Sequence, residues 1–188
     1  MEDEQTLQRN ESAPERFRCY VTPEVPVLLR VARRLTGNPQ DAEDAVQETL
    51  IRAYRAIDRF DGRHPRAWLL TILRNAISNM YRRKRPHLVD SPEEMLQVPA
   101  AGADGRNGTE ERVLDGVVEV EIVEALRALS PSFREVVVLV DVEGLSYQEA
   151  ADVLGIPTGT VMSRLHRARK KMRKRLERAG FSAEGPNR

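Results

Sequence analysis

The sequence predicts an all-α protein made of two small helical domains joined by a flexible linker. Three observations predict this. Almost nothing in the 188 residues alternates apolar and polar with period two, whereas spacings of three and four recur in both halves. Helix starts and stops punctuate those stretches. Residues 86–116 carry Pro86, Pro92, Pro99 and a Gly/Ala/Asp-rich run, text that buries too little apolar area to order itself. The expected division is a mobile polar tail at 1–22, a first domain at 23–87, a linker at 88–117, a second domain at 118–180 and a short tail at 181–188.

In the first domain, Asn38-Pro39-Gln40-Asp41 opens a helix. Asn38 caps it, Pro39 takes the first helical position and Asp41 suits the positive dipole end. Ala42, Ala45, Val46, Thr49, Leu50, Ala53 and Ile57 form its buried stripe. The opposite face holds Asp41, Asp44, Gln47, Glu48, Ile51 and Arg55. Acid upstream of base is what the dipole favours, and an exposed Ile51 beside carboxylates also reads as a docking surface. The loop Phe60-Asp61-Gly62-Arg63-His64 follows, and Pro65 starts the next helix. That helix buries Trp68, Leu69, Ile72, Leu73, Ala76, Ile77 and Met80, leaving Thr71, Arg74, Asn75, Ser78, Asn79 and Arg82 outward. Amides and hydroxyls suit base edges, and Arg suits phosphates. Trp68, within the apolar stripe, is expected to pack in the core. Phe60, in the loop, is the better ring for stacking on an unpaired base.

In the second domain, residues 121–129 form a short amphipathic helix, and Ser130-Pro131 starts another that runs through Val136-Val137-Val138 toward Gly144. Ser146-Tyr147-Gln148-Glu149 is a capping box. Small Ala151, then Gly155-Ile156-Pro157, then a helix from Thr158 to Lys171 follow the grammar of a helix-turn-helix. Val161, Leu165, Ala168, Met172 and Leu176 face inward. Thr158 stands at the helix start, and Thr160, Ser163, Arg164, Arg167, Lys171 and Lys174 face outward, hydroxyls leading and bases following, as in a helix entering a major groove.

Charge supports a polyanionic partner. The total is +1, but residues 1–89 carry +4, residues 90–143 carry −9 and residues 144–188 carry +6. Two basic modules around an acidic middle are a nucleic-acid footprint that the total conceals. His64, His87 and His166 are scattered, the single Cys19 has no companion, and there is no phosphate-binding Gly loop, so neither an enzyme nor a bound cofactor or metal is expected. Cys19 reads as incidental, with a redox sensor as the other option. No apolar run is long enough to span a bilayer and the acidic start is no signal peptide, so a cytoplasmic protein is expected, without membrane insertion.

Both halves resemble one family. "LTGNPQDAEDAVQETLIRAYRAIDRFDG" followed by "PRAWLLTILRNAISNMYRRKR" is similar to the promoter-melting domain of bacterial sigma factors of the extracytoplasmic-function (ECF) group. "ALRALSPSFREVVVLVDVEGLSYQEAADVLGIPTGTVMSRLHRARKKMRKRL" resembles that group's C-terminal domain. The resemblance implies a non-catalytic specificity subunit that binds core RNA polymerase through its β′ clamp and β flap, and promoter DNA. It implies polymerase contact by Asp41, Asp44, Gln47, Glu48 and Ile51. It implies −10 capture by Phe60, Asp61, Gly62, Arg63, Asn75, Asn79, Arg82 and Arg83, and −35 reading by Thr158, Thr160, Ser163, Arg164, Arg167 and Lys171. A cognate anti-sigma factor and a monomeric free state are also implied. A dimeric repressor would use the same helix-turn-helix, but it needs an effector or dimerisation domain that the first module does not resemble.

Overall fold

The computed structural model describes residues 12–84 and 113–181. Among them every regular element is helical. They fall in two compact units. Residues 88–112 of the expected linker lie outside the described residues, as do residues 1–11 and 182–188 of the expected tails.

Two helices precede the Asn38 start, and the first overturns the expectation of a mobile tail through residue 22. Ala13–Tyr20 is a helix, α1. It starts because Glu15 accepts from both the Ser12 backbone N–H and its hydroxyl, each at 2.8 Å. The serine-to-glutamate pairing satisfies a donor at the open end of the helix. Its one fully buried side chain is charged: Arg16 is 8% exposed. Helix α2 (Val25–Thr36) buries Val27, Leu28, Val31 and Ala32. It stops where Gly37 adopts a left-handed φ of 68°, a conformation glycine takes at little cost.

Helix α3 (Pro39–Ala56) begins as expected, with the Asn38 side chain accepting from the N–H groups of Gln40 and Asp41. Its stripe of Ala42, Ala45, Val46, Thr49 and Ala53 is buried, while Leu50 is only half-buried. A 3-10 turn at Ile57–Arg59 leads to the loop, and α4 (Pro65–Lys84) follows. Helices α2, α3 and α4 pack mutually around Leu28, Val31, Leu69, Leu70, Leu73 and Ile77. Leu70 joins this core unannounced by the sequence. Trp68, Ile72 and Met80, expected inside, are half-buried.

In the second unit α5 spans Val113–Arg127, eight residues longer at its start than expected. The helix therefore takes over part of the expected linker and begins ahead of residue 118. Helix α6 (Pro131–Val137) continues into a π-helical turn, Val138–Val142. The three valines are helical despite their strand propensity because Val136, Val137 and Val138 are all buried, and tertiary burial outweighs local preference. Gly144, at φ 71°, ends the run. Helix α7 (Tyr147–Leu154) has the expected box: Ser146 N–H donates to Glu149 at 2.9 Å, and Glu149 N–H donates back to the Ser146 hydroxyl at 3.2 Å. The turn uses Gly155 at φ 64°, and α8 runs Thr158–Arg178. Val161, Leu165 and Ala168 are buried against α5 and α6, with Met172 and Leu176 half-buried below them.

Candidate nucleic-acid interface

The loop between α3 and α4 is shaped by its own backbone. Asp61 Oδ1 accepts from Arg63 N–H at 2.9 Å, an Asx turn that bends the chain without outside help. Gly62 sits at φ 82° and His64 at φ 48°, the latter a conformation uncommon for a residue with a Cβ. The His64 carbonyl accepts from Trp68 N–H at 3.1 Å, so the loop runs straight into α4. Asp61, Arg63 and His64 are exposed.

Phe60 departs from expectation. It is 7% exposed, with its ring stacked on Trp68 at 4.3 Å and 17° and Tyr20 edge-on at 5.5 Å. Apolar area and ring complementarity draw it inward. It is therefore not a free stacking face at the loop surface, and the aromatic left partly open beside the loop is Trp68. Sequence periodicity missed this because the partners, Tyr20 and Trp68, come from two other helices.

On α4, Asn75, Arg82 and Arg83 are exposed, and Ser78 and Asn79 are half-buried. Asn79 Oδ1 accepts from Arg82 at 3.1 Å, which fixes the amide and aims the guanidinium. The loop and this helix face lie in one unit. On α3, Asp44, Gln47, Glu48 and Ile51 are exposed, with Ile51 at 42%, and Asp41 is half-buried. Glu48 is paired with Arg52 at 2.7 Å, an i,i+4 pair that partly offsets its charge. Tyr54, 49% exposed, extends the surface beside Ile51 and meets Phe17 edge-on at 5.5 Å.

In the second unit the start of α8 is held by the helix before it. Thr158 Oγ1 donates to Gln148 Oε1 at 2.9 Å, so Thr158 has a positioning bond inside the protein. Ser163 and Arg167 are exposed, while Thr160 and Arg164 are half-buried. Lys171 is exposed, and its ammonium lies 4.8 Å from the Phe133 ring centre, a cation–π contact that steadies the long side chain. Arg169 is paired with Asp141, Nε to Oδ2 at 3.1 Å, and this hydrogen bond makes the Arg169 guanidinium hold its proton more firmly than usual. No acid stands in the first turn of α8. Met162, 52% exposed on the same helix, was not singled out from sequence. An apolar side chain among hydroxyls and bases is suited to a thymine methyl.

A helical unit with a basic helix and a shaped loop, followed by a helix-turn-helix whose second helix presents hydroxyls and guanidinium groups, defines a two-module DNA-binding protein. Residues 20–87 match the sigma-70 region 2 family and residues 119–172 match sigma-70 region 4. The chain is 38% identical over 168 residues to the ECF RNA polymerase sigma factor EcfG of Rhodopseudomonas palustris, covering 87% of this chain and 86% of that one. It is 40% identical over 147 residues to ECF sigma factor SigE of Mycolicibacterium smegmatis, 78% of this chain but only 56% of SigE. Among solved structures it resembles sigma factor RpoE in complex with the anti-sigma factor NepR from Bartonella quintana, with a TM-score of 0.68, 30% identity and coverage of 86% and 96%. CnrH in complex with the cytosolic domain of CnrY is also similar, with a TM-score of 0.62, 27% identity and coverage of 93% and 95%. The chain belongs to the sigma-70 family, in its ECF group, and is a sigma factor for promoter-specific transcription. Family membership displaces the repressor alternative. Among the described residues no helix is long and apolar enough to cross a membrane.

Proposed function

We propose that the chain divides promoter recognition between its units. Helix α8 reads the −35 element as duplex through Thr160, Ser163, Arg164, Arg167 and Lys171, with Thr158 fixing the start of the helix. The loop of Asp61, Gly62, Arg63 and His64 captures an unpaired base of the −10 element. Asn75, Asn79, Arg82 and Arg83 on α4 hold the separated strand. The observation that carries this reading is the pairing of a groove-sized helix without acids at its start with a pre-bent loop beside a partly open Trp68. Duplex reading needs a rigid helix, whereas melting needs a pocket that offsets the cost of unstacking.

The α3 face of Asp41, Asp44, Gln47, Glu48 and Ile51 docks on the β′ clamp of core polymerase. Acid around a partly exposed isoleucine supports a basic partner with an apolar centre. Partnership with an anti-sigma factor is supported by the similar sigma factor RpoE, solved in complex with the anti-sigma factor NepR. Run-off transcription with core polymerase on a genomic promoter library tests the whole proposal. Transcripts should start downstream of a shared −35/−10 pair. Absence of any sequence common to the transcribed promoters would refute it. Replacing residues 60–63 with an unrelated loop should change −10 preference and leave −35 preference intact.

A further inference from the structure

Arg16 lies in α1, ahead of the residues matched to region 2, yet it is the most deeply placed charge of the first unit's described residues at 8% exposure. A buried guanidinium is tolerated only where its donors are met. Its Nε donates to the Ile57 carbonyl at 3.3 Å, and a terminal nitrogen donates to the Phe60 carbonyl. Its carbon lies 5.6 Å from the centre of the Tyr20 ring. Ile57 opens the 3-10 turn and Phe60 follows it, at the entry to the Asp61–His64 loop.

We infer that Arg16 is a positioning residue for promoter melting, locking the entry of the −10 loop so that the loop is already shaped when an unpaired base arrives. The inference rests on the −10 reading above. The exit of the loop is fixed separately, by Pro65 and by the His64 carbonyl bonded to Trp68 N–H. Arg16 supplies the matching restraint at the other end. Tyr20 edge-on to Phe60, and Phe60 stacked on Trp68, carry the restraint from α1 to the first turn of α4. A loop held at both ends loses less freedom on binding a base, which is where a preorganised site gains affinity. Two carbonyls set apart across a turn call for the planar, forked donor set of arginine rather than a single ammonium.

The test uses the full chain with core polymerase and compares Arg16→Lys, Arg16→Ala and a loop exchange at residues 60–63. Misplacement of a binding group by about an ångström costs up to ~100-fold, so both Arg16 variants should slow open-complex formation by about ten- to a hundred-fold, with Arg16→Lys the milder. Binding of −35 duplex and affinity for core polymerase should stay within about two-fold, since neither touches the loop. Amide exchange should quicken across residues 57–64 and not in α2. If open-complex formation is unchanged, or if −35 binding and core affinity fall by the same factor, Arg16 is a general structural cap and the inference is overturned. Should Arg16→Ala fail to fold, Arg16→Lys decides by the same measurements. A loop exchange that leaves −10 preference unaltered refutes the underlying reading. A loop exchange that alters it while both Arg16 variants behave as the unchanged chain refutes the positioning role alone.

Discussion

Arg134 does in the second unit what Arg16 does in the first. It is 5% exposed. Its Nε donates to the Leu126 carbonyl at 3.2 Å, and a terminal nitrogen donates to Leu129 at 3.2 Å and to Arg127 at 2.5 Å. Leu126 and Arg127 close α5 and Leu129 lies just beyond it; the Leu126 carbonyl also accepts from Leu129 N–H at 3.2 Å, and the guanidinium adds donors where the helix runs out of its own. A buried guanidinium thus closes a helix end that has no glycine cap. Arg134→Ala takes this donor from the Arg127 and Leu129 carbonyls, and the loss should be about 3 kcal/mol, from one to two unmet buried acceptors and lost packing. Urea unfolding followed by amide exchange in residues 120–140 measures it, and a loss below about 0.5 kcal/mol would exclude the capping role. Neither arginine was legible from sequence, because a charge at an inward position contradicts the apolar period that reveals helices. Surface arginines were easier. Arg167 is exposed and Arg164 half-buried, each on the outer side of a helix whose inner stripe is plain in the sequence. Arg164→Ala and Arg167→Ala should each weaken −35 duplex binding by about 1–3 kcal/mol if they reach base edges. Titration at several salt concentrations separates the cases: a smaller salt slope with unchanged sequence preference would assign them to phosphate.

At the scale of elements, the helices that carry start signals were the legible ones. Asn38-Pro39, Ser130-Pro131 and Ser146 with Glu149 each open a helix where expected. Helix α1 carries the same signal, Ser12 with Glu15 and Pro14 in the first turn, but its polar composition hid it. The start of α5 was hidden by Gly116 and the neighbouring Gly-rich text. Phe60 was misplaced because burial by Tyr20 and Trp68 is a tertiary fact that no local window contains. The α1 start also makes a pH prediction. The Glu15 carboxyl is held below its ordinary pKa, first by the Ser12 backbone N–H and then by the Ser12 hydroxyl. A depressed folded pKa means the contribution is complete above the unfolded carboxylate pKa and is lost as pH falls through the lowered folded value. Amide exchange should therefore show α1 fraying in acid before α2 does, and Glu15→Gln should remove that pH dependence. A start of α1 equally protected at neutral and acidic pH would contradict the role of the pair.

For the whole molecule, the near-zero total is a balance of segregated parts: +4 in residues 1–89, −9 in residues 90–143 and +6 in residues 144–188. The basic parts contain α4 and α8, the two helices proposed to meet DNA. A DNA-binding helix with a net positive field gains most of its non-specific affinity by releasing counterions from phosphates. A free sigma factor with that affinity would be sequestered on the chromosome, so covalently attached acid lowers the charge that the whole chain offers to DNA. The acid acts through the summed field, which extends about 8 Å at physiological ionic strength, and needs no fixed contact between parts of the chain. Several carboxylates of the middle segment are placed by the structure, among them Glu124, paired with Arg127 at 2.8 Å. Asp141 is engaged with Arg169, and Glu135 and Glu143 are buried. Neutralising these would damage the fold of the second unit, which makes them poor probes of the field. Glu93, Glu94, Asp104, Glu110 and Glu111, outside the described residues, are the better set. Converting those five to Gln and Asn should raise the affinity of the free chain for non-promoter duplex and steepen its salt dependence, because more of the basic charge is left to pair with phosphate. In the presence of saturating core polymerase, promoter preference should be unchanged, because the base-reading side chains are untouched. Fluorescence anisotropy at several salt concentrations reads both quantities. Equal affinity and equal slope for the two chains would show that the acidic middle does not restrain DNA binding.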